Sequence, residues 1–321
     1  MRTRILFTTY LFIAGILFLD AQPVKTHGSL HVEGTKLKDQ RGNNIVLRGM
    51  SFGWHNFWPR FYNAGAVQWL YKDWGCNVVR AAMGIEPQRG YIRDPKGSKE
   101  KVKAVVDAAI KEGIYVIIDW HSHNINLKEA KEFFTEMATT YGAHPNIIYE
   151  IFNEPDYETW KEVKAYSVEV IAAIRAIDPD NIILVGNTHW DQDVHIAADD
   201  PITGFSNLMY TLHFYAATHK QQLRNRGDYA LSKGLPLFIS ESAGMEASGN
   251  GPINEEEWLK WIEWAEAKDI SWITWSVSDK DETCSILLPA ASSNGGWSNK
   301  ELKESGIKAK ALIKLYSLKK K

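Results

Sequence analysis

The chain has 321 residues, 45% of them apolar, and a formal net charge of −2. That much apolar chain can bury a large core, and parallel αβ barrels use this length as a single domain. The charge is nearly balanced, with no basic block beyond a solvated Lys319-Lys320-Lys321 tail, which argues against nucleic acid as a partner. Thirteen tryptophans exceed what packing normally demands. Indole faces also serve as platforms for sugar rings, so these residues are expected to divide between core and ligand.

In chain order, residues 1–21 read as a signal peptide. Arg2 and Arg4 give a positive start, Ile5 to Leu19 an apolar stretch, and Leu19-Asp20-Ala21 a small-residue cleavage site. A membrane anchor fits less well, because the run is shorter than the ~18–20 residues of a span and is broken by Thr8, Thr9 and Tyr10. No cysteine lies near the site, which argues against a lipid anchor. The expectation is an exported, monomeric domain over residues 22–321, with no stable membrane span after cleavage. Residues 29–49 alternate around Gly34 and Arg41-Gly42-Asn43 as a hairpin leading into a strand.

A strand–helix alternation then runs to the C-terminus. The expected strands are Val46–Met50, Val78–Met83, Tyr115–Trp120, Ile147–Phe152, Ile182–Val185, Asn207–His213, Leu237–Ser240 and Ser271–Ser276. Helix-period segments such as Glu100–Lys111, Leu127–Tyr141, Thr159–Ile177 and Glu255–Lys268 lie between them, and Asp178-Pro179 stops one cleanly. Eight strands in this order predict a (β/α)8 barrel before an open doubly wound sheet. Cys76 and Cys284 are the only cysteines and read as two separate buried thiols.

In such a barrel the working groups sit at the C-terminal ends of strands. Those positions hold Arg80, His121 with His123, Asn153 with Glu154, His213 with Tyr215, Glu241, and Trp275. Singly, each is more often a structural group. Polar residues at strand end after strand end are hard to assign to packing, because each would need a buried partner. Ile148-Tyr149-Glu150-Ile151-Phe152-Asn153-Glu154-Pro155 and Leu237-Phe238-Ile239-Ser240-Glu241 each end an apolar run in a carboxylic acid. Two such acids suit glycosidic bond cleavage with retention, where carboxyls about 5–5.5 Å apart act as nucleophile and proton donor. Arg80 and Tyr215 are placed to hydrogen-bond the nucleophile, and Asn153 to grip a sugar 2-hydroxyl.

Two readings from other classes compete. His121-Ser122-His123 with His213 and Asp279 suggests a zinc site of the amidohydrolase-like kind. Against it, the His-x-His pair sits on the third strand, no lysine ends the fourth, and both glutamates are left without a role. A non-catalytic glycan-binding barrel is disfavoured because both acids and their supports are present.

Taken together, Leu47-Arg48-Gly49-Met50-Ser51, Val78-Val79-Arg80, Ile118-Asp119-Trp120-His121, Ile151-Phe152-Asn153-Glu154-Pro155, Tyr210-Thr211-Leu212-His213-Phe214-Tyr215, Ile239-Ser240-Glu241 and Trp275-Ser276-Val277-Ser278-Asp279-Lys280-Asp281-Glu282 form a specific pattern. Through them the mature chain resembles glycoside hydrolase family 5, in its bacterial endoglucanase branch. The resemblance implies a secreted endo-β-1,4-glucanase acting on cellulose-type β-glucan, with no metal or cofactor; a β-mannanase or broad β-glucanase is the alternative within the family. It implies Glu154 as acid/base and Glu241 as nucleophile, with Arg80, His121, Asn153, His213, Tyr215 and Trp275 around the −1 subsite. Lys280 and Glu282 match positions contacting glucose further toward the non-reducing end. By the same likeness His55 and Trp58 line the minus side and Trp190 the plus side. One departure is that Glu241 is followed by Ser242-Ala243-Gly244, where the family usually has an aromatic and a glycine. A looser wall beside the nucleophile is therefore expected, with residues 245–251 as a mobile loop at the cleft edge.

Overall fold

In the computed structural model, which describes residues 22–319, eight parallel strands close into a barrel. An antiparallel hairpin precedes it, β1 (His31–Glu33) and β2 (Lys36–Lys38), with Gly34 at φ +59 in the turn between them. The barrel strands are β3 (Arg48–Phe52), β4 (Val78–Gly84), β5 (Tyr115–His121), β6 (Ile147–Glu150), β7 (Ile182–Val185), β8 (Leu208–Tyr215), β9 (Leu237–Ala243) and β10 (Trp272–Val277). Each pairs with the next in sequence and β10 closes on β3, with helices in every crossover. The leader expected at residues 1–21 lies outside the described residues. Among the described residues no helix is long and apolar enough to cross a membrane.

All eight expected strands form, and their shifted ends have local causes. The first starts later than expected because Ile45 belongs to the hairpin, its N–H bonding the Leu37 carbonyl at 3.0 Å. Leu47 N–H then bonds Ser271 Oγ at 2.9 Å, tying the barrel floor to the segment before β10. At Gly49 a Cβ would lie 1.9 Å from the Val78 carbonyl oxygen, so glycine is what lets β3 approach β4. Strands β8 and β9 run further than expected because they resume pairing after a register shift, with His213 opposite Glu241 and Tyr215 opposite Ala243. The helix over Pro95–Glu112 begins earlier than its apolar period suggested. Asp94 accepts from Gly97 N–H at 2.9 Å and Pro95 occupies the first turn. Thr159 and Glu162 form a capping box that starts the next-but-one helix.

The period of two along each strand sorts the side chains. Val79, Ile118, Tyr149 and Ile239 belong to the apolar shell shared with the helices. Val78, Ile117, Ile148, Met209, Phe238 and Ile273 form a separate apolar plug. Two residues beyond five of these come Arg80, Asp119, Glu150, Thr211 and Ser240, all fully buried. The barrel interior is therefore apolar toward its N-terminal mouth and polar above that plug.

Both cysteines are buried free thiols, as expected. The tryptophans divide unevenly. Trp74, Trp120, Trp258, Trp261, Trp272 and Trp297 are fully buried in packing, while Trp54, Trp58, Trp190 and Trp275 line the open trough at the C-terminal mouth.

Candidate active site

The polar layer centres on Arg80, which is fully buried. Its Nε and Nη2 donate to the two Glu150 oxygens at 2.7 and 3.1 Å, and Nη2 also donates to Asn153 Oδ1 at 2.6 Å. Nη1 donates to Glu241 Oε2 at 2.9 Å, and Nη2 stands 3.0 Å from Asp119 Oδ2. Tyr215 Oη donates to the other Glu241 oxygen at 2.6 Å. The Glu241 carboxyl is thus gripped on both oxygens, by a guanidinium from β4 and a phenol from β8. Burial raises Asp119 well above the usual carboxylate range, and Arg80 only partly offsets this. Burial also raises Glu150, but Arg80 and His213 outweigh it and bring Glu150 to about 2. His121 Nδ1 lies 2.7 Å from Asp119 Oδ2, and burial with nearby Arg80 lowers His121 to about 3. The His121 ring stacks on Trp275 at 5.1 Å, nearly parallel, and the Trp275–Ser276 peptide is cis.

Glu154 follows β6 and meets His213 from β8, with Nδ1 2.9 Å from Glu154 Oε1. The far side of that imidazole, Nε2, lies 2.8 Å from Ser240 Oγ and 3.3 Å from Asp191 Oδ2. Burial opposes a charge on either partner. For Glu154 the His213 hydrogen bond and charge win, bringing its carboxyl to about 2. For His213 the surrounding Asp191, Glu150 and Glu154 win, holding it well above its ordinary range. The two shifts run in the same sense, favouring hydrogen on His213 over Glu154. One oxygen from Glu154 and one from Glu241 lie within 4.8 Å of each other and of His213. The two carboxyls therefore stand close together across the mouth of the barrel.

Two hollows meet at this pair and make one trough. The larger, about 800 Å³, is lined by Trp54, Phe57, Trp58, Trp275, Lys280 and Glu282 among others. The second, about 600 Å³, runs past Trp190, His189 and His219. His123, Glu154, Tyr215 and Ala247 border both. Lys280 and Glu282 form an ion pair on the first side. Asn153 is fully buried, lines neither hollow, and has its Nδ2 without a hydrogen-bond partner.

Residues 38–281 match the family model for cellulase, glycosyl hydrolase family 5. The chain belongs to this family. It is 45% identical to an endoglucanase of Clostridium saccharobutylicum over 89% of its own length and 65% of the relative's. It therefore spans just under two thirds of that protein. A solved structure from Cytophaga hutchinsonii is 47% identical, with a TM-score of 0.91 over 93% of this chain and 98% of that one. The catalytic domain of a Thermobifida fusca endoglucanase, solved in complex with cellotetraose, is 32% identical with a TM-score of 0.86, over 91% of this chain and 99% of that one.

Within this family 5 barrel, the ligand set of the zinc alternative is not assembled. His121 is bonded to Asp119, His123 Nδ1 lies 3.0 Å from the Glu154 carbonyl, and Asp279 pairs with Arg60 at 2.7 Å. The wall beside Glu241 is filled and not loose. Ser242 Oγ donates to the Ile273 carbonyl at 2.8 Å, and Ala243 packs with Met245 and Cys284. The 245–251 loop borders the trough through Ala247, Ser248 and Gly249, and it is tied down, with Ala247 N–H bonded to Thr218 Oγ1 at 3.0 Å and Cys284 N–H to the Gly249 carbonyl at 2.9 Å. Sequence reasoning missed Trp54 and Phe57 as lining residues and Asp119, Glu150, Asp191 and Ser240 as the layer beneath. The signal for Asp119 and Glu150 was available, since a charged side chain inside an apolar strand must be paired.

His55 corrects an expectation, because it does not reach the trough. It is 3% exposed, its Nδ1 accepts from Gly84 N–H at 3.0 Å, and its Nε2 lies 2.8 Å from Ser98 Oγ. Trp58 lines the larger hollow and Trp190 the second. Burial, aided by His121, lowers His55 to about 4. The unfolded chain protonates this residue near its ordinary value of about 6.5, so its contribution to stability is complete above that pH and is lost as pH falls toward 4. Urea unfolding at several pH values should show stability falling more steeply between pH 6.5 and 4 in the wild type than in His55→Asn, by about 2–3 kcal/mol over the window. Parallel slopes would remove His55 as a cause.

Proposed function

We propose that this protein is a retaining endo-β-1,4-glucanase, with Glu241 as nucleophile and Glu154 as acid/base. The observation that carries the reading is the close, asymmetric carboxyl pair. Glu241 is fixed by Arg80 and Tyr215, while Glu154 shares a hydrogen with His213. In the first step a Glu241 oxygen attacks the anomeric carbon and the bond to the leaving sugar breaks. The leaving oxygen takes the shared proton through Glu154, and His213 is left neutral. Water then attacks the glycosyl-enzyme, Glu154 with His213 takes its proton, and Glu241 is released.

Asn153, buried with a free Nδ2, is suited to hold the 2-hydroxyl at −1. Trp275 and His121 wall that subsite. Trp58, Lys280 and Glu282 are suited to glucose units beyond it, and Trp190 to the leaving side. Support for a β-glucan polymer comes from the endoglucanase relatives, the cellotetraose complex of a structural neighbour, and a trough that continues on both sides of the pair. We further propose that residues 1–21 direct export and are removed, and that the mature protein acts as a monomer.

Glu241→Ala should lose turnover by at least ~10⁴-fold and regain part of it with azide, yielding the glycosyl azide of inverted configuration. Unimpaired hydrolysis by that variant would refute the nucleophile assignment. Glu154→Ala should spare aryl cellobiosides with acidic phenol leaving groups while losing about 10²–10⁴-fold on cello-oligosaccharides; equal losses would deny it the acid role. On carboxymethylcellulose, viscosity should collapse while few reducing ends appear. A preference for mannan or lichenan in the same assay would move the protein to the alternative specificity.

A further inference from the structure

The turn after β7 contains three consecutive residues with left-handed backbone, His189, Trp190 and Asp191, at φ 59, 54 and 58. None is glycine, and such strain persists where surrounding structure over-determines it. Its last residue, Asp191, is fully buried. Asp191 Oδ1 accepts from Asn187 N–H at 2.6 Å. Asp191 Oδ2, which has no conventional hydrogen-bond partner, stands 3.3 Å from His213 Nε2.

The hydrogen on His213 can be located by counting. Ser240 has one hydroxyl hydrogen and gives it to Glu150 Oε1 at 2.7 Å, a carboxylate already bound to Arg80. Ser240 Oγ must then accept at its 2.8 Å contact with His213, so Nε2 carries a hydrogen. That hydrogen goes to Ser240 Oγ, and Asp191 Oδ2 stands beside it, 3.3 Å from Nε2 and outside hydrogen-bond geometry. With Nε2 occupied, Nδ1 is the position that gives or takes the proton exchanged with Glu154.

We propose that Asp191 is a positioning residue that fixes hydrogen on His213 Nε2 and thereby keeps the proton shared by His213 and Glu154 in place at higher pH. It rests on the reading of Glu154 as acid. An acid suits this position because one oxygen accepts from Asn187 N–H while the other stands 3.3 Å from His213 Nε2. An asparagine can satisfy Asn187 N–H or His213 Nε2–H with its single oxygen, and must present its own N–H₂ to the other. Asp191 is also the neighbour that most raises His213, although burial pushes the Asp191 carboxyl itself above the usual range and His213 offsets this only in part. Replacing the acid therefore weakens the hold on the last proton. The other titratable groups around the imidazole come from separate elements and stay unchanged: Glu150 at the end of β6, Asp119 and His121 on β5, Arg80 on β4, Glu241 on β9, and His123 and His219 in the loops.

The test compares pH profiles of kcat/KM for wild type, Asp191→Asn and Asp191→Ser, the last a smaller side chain that keeps an acceptor oxygen. On a cello-oligosaccharide, which needs the acid, the alkaline limb of both variants should move down by about 1 pH unit or more. On an aryl cellobioside with an acidic phenol, which does not need it, the limb should stay put and KM should stay near wild type. An unmoved limb on the oligosaccharide, or equal movement on both substrates, overturns the proposal. In ¹⁵N-histidine-labelled wild type, the His213 signals should show hydrogen on Nε2 throughout the active pH range. Hydrogen on Nδ1 alone overturns the proposal even if neither variant folds. That measurement does not depend on what Glu154 does, so it separates failure here from failure of the acid assignment.

Discussion

A guanidinium buried inside a barrel is the constraint around which the rest is arranged. Arg80 cannot discharge, and a charge of that size taken from water costs several kcal/mol unless it is paired and hydrogen-bonded throughout. It is satisfied by groups from both neighbouring strands and from strands further round the barrel. Glu150 and Asn153 come from the end of β6 and beyond, Glu241 from β9, Ser51 from β3 and Asp119 from β5. The fork geometry of arginine fixes where these partners stand relative to one another. The position of Glu241 in the trough follows from a structural requirement one layer below it.

The two carboxyls at the mouth are then distinguished by what holds them. Arg80 is a permanent cation, and its partner Glu241 accepts a hydrogen bond on each oxygen. His213 can release its proton, and its partner Glu154 can take it. On the roles proposed above, the difference between attacking group and proton carrier lies in the contrast between guanidinium and imidazole more than in the glutamates themselves. The apolar plug beneath supplies the rigidity. Val78, Ile117, Ile148 and Phe238 leave no room for the polar layer to sink.

Much of this was legible in the sequence, because the barrel repeats one physical rule. An apolar strand that ends in Asn153-Glu154 or Glu241 announces both its burial and the point where burial stops. The strand–helix alternation supplied the barrel, and strand-end polarity supplied Arg80, His121, His213, Tyr215 and Trp275. What escaped depends on facing direction or on distant partners. His55 lies only a few residues beyond β3, yet its ring turns to Ser98 and the Gly84 amide, and no local pattern encodes that rotation. The wall beside Glu241 was misjudged because Met245 and Cys284, the latter forty residues on by sequence, fill what Ala243 leaves. The register shift that sets His213 opposite Glu241 leaves no sequence mark either.

The strained turn after β7 joins two parts of the site that the sequence presents as unrelated. Trp190 faces the trough, with Tyr157 edge-on at 6.0 Å, while Asp191, its neighbour, is buried against His213. Consecutive left-handed residues turn these two side chains to opposite sides of one short segment. The segment is anchored from both directions, by Trp190 N–H to the Pro155 carbonyl at 3.0 Å and by Asn187 N–H to Asp191 Oδ1 at 2.6 Å. Pro155 directly follows Glu154. The platform offered to a leaving sugar, the acid that would protonate it and the imidazole that holds the proton are therefore spaced by the same few bonds. A sugar seated on Trp190 is referenced to Glu154 through backbone, without an intervening flexible loop, and that is the kind of fixed geometry on which proton transfer in the first step depends.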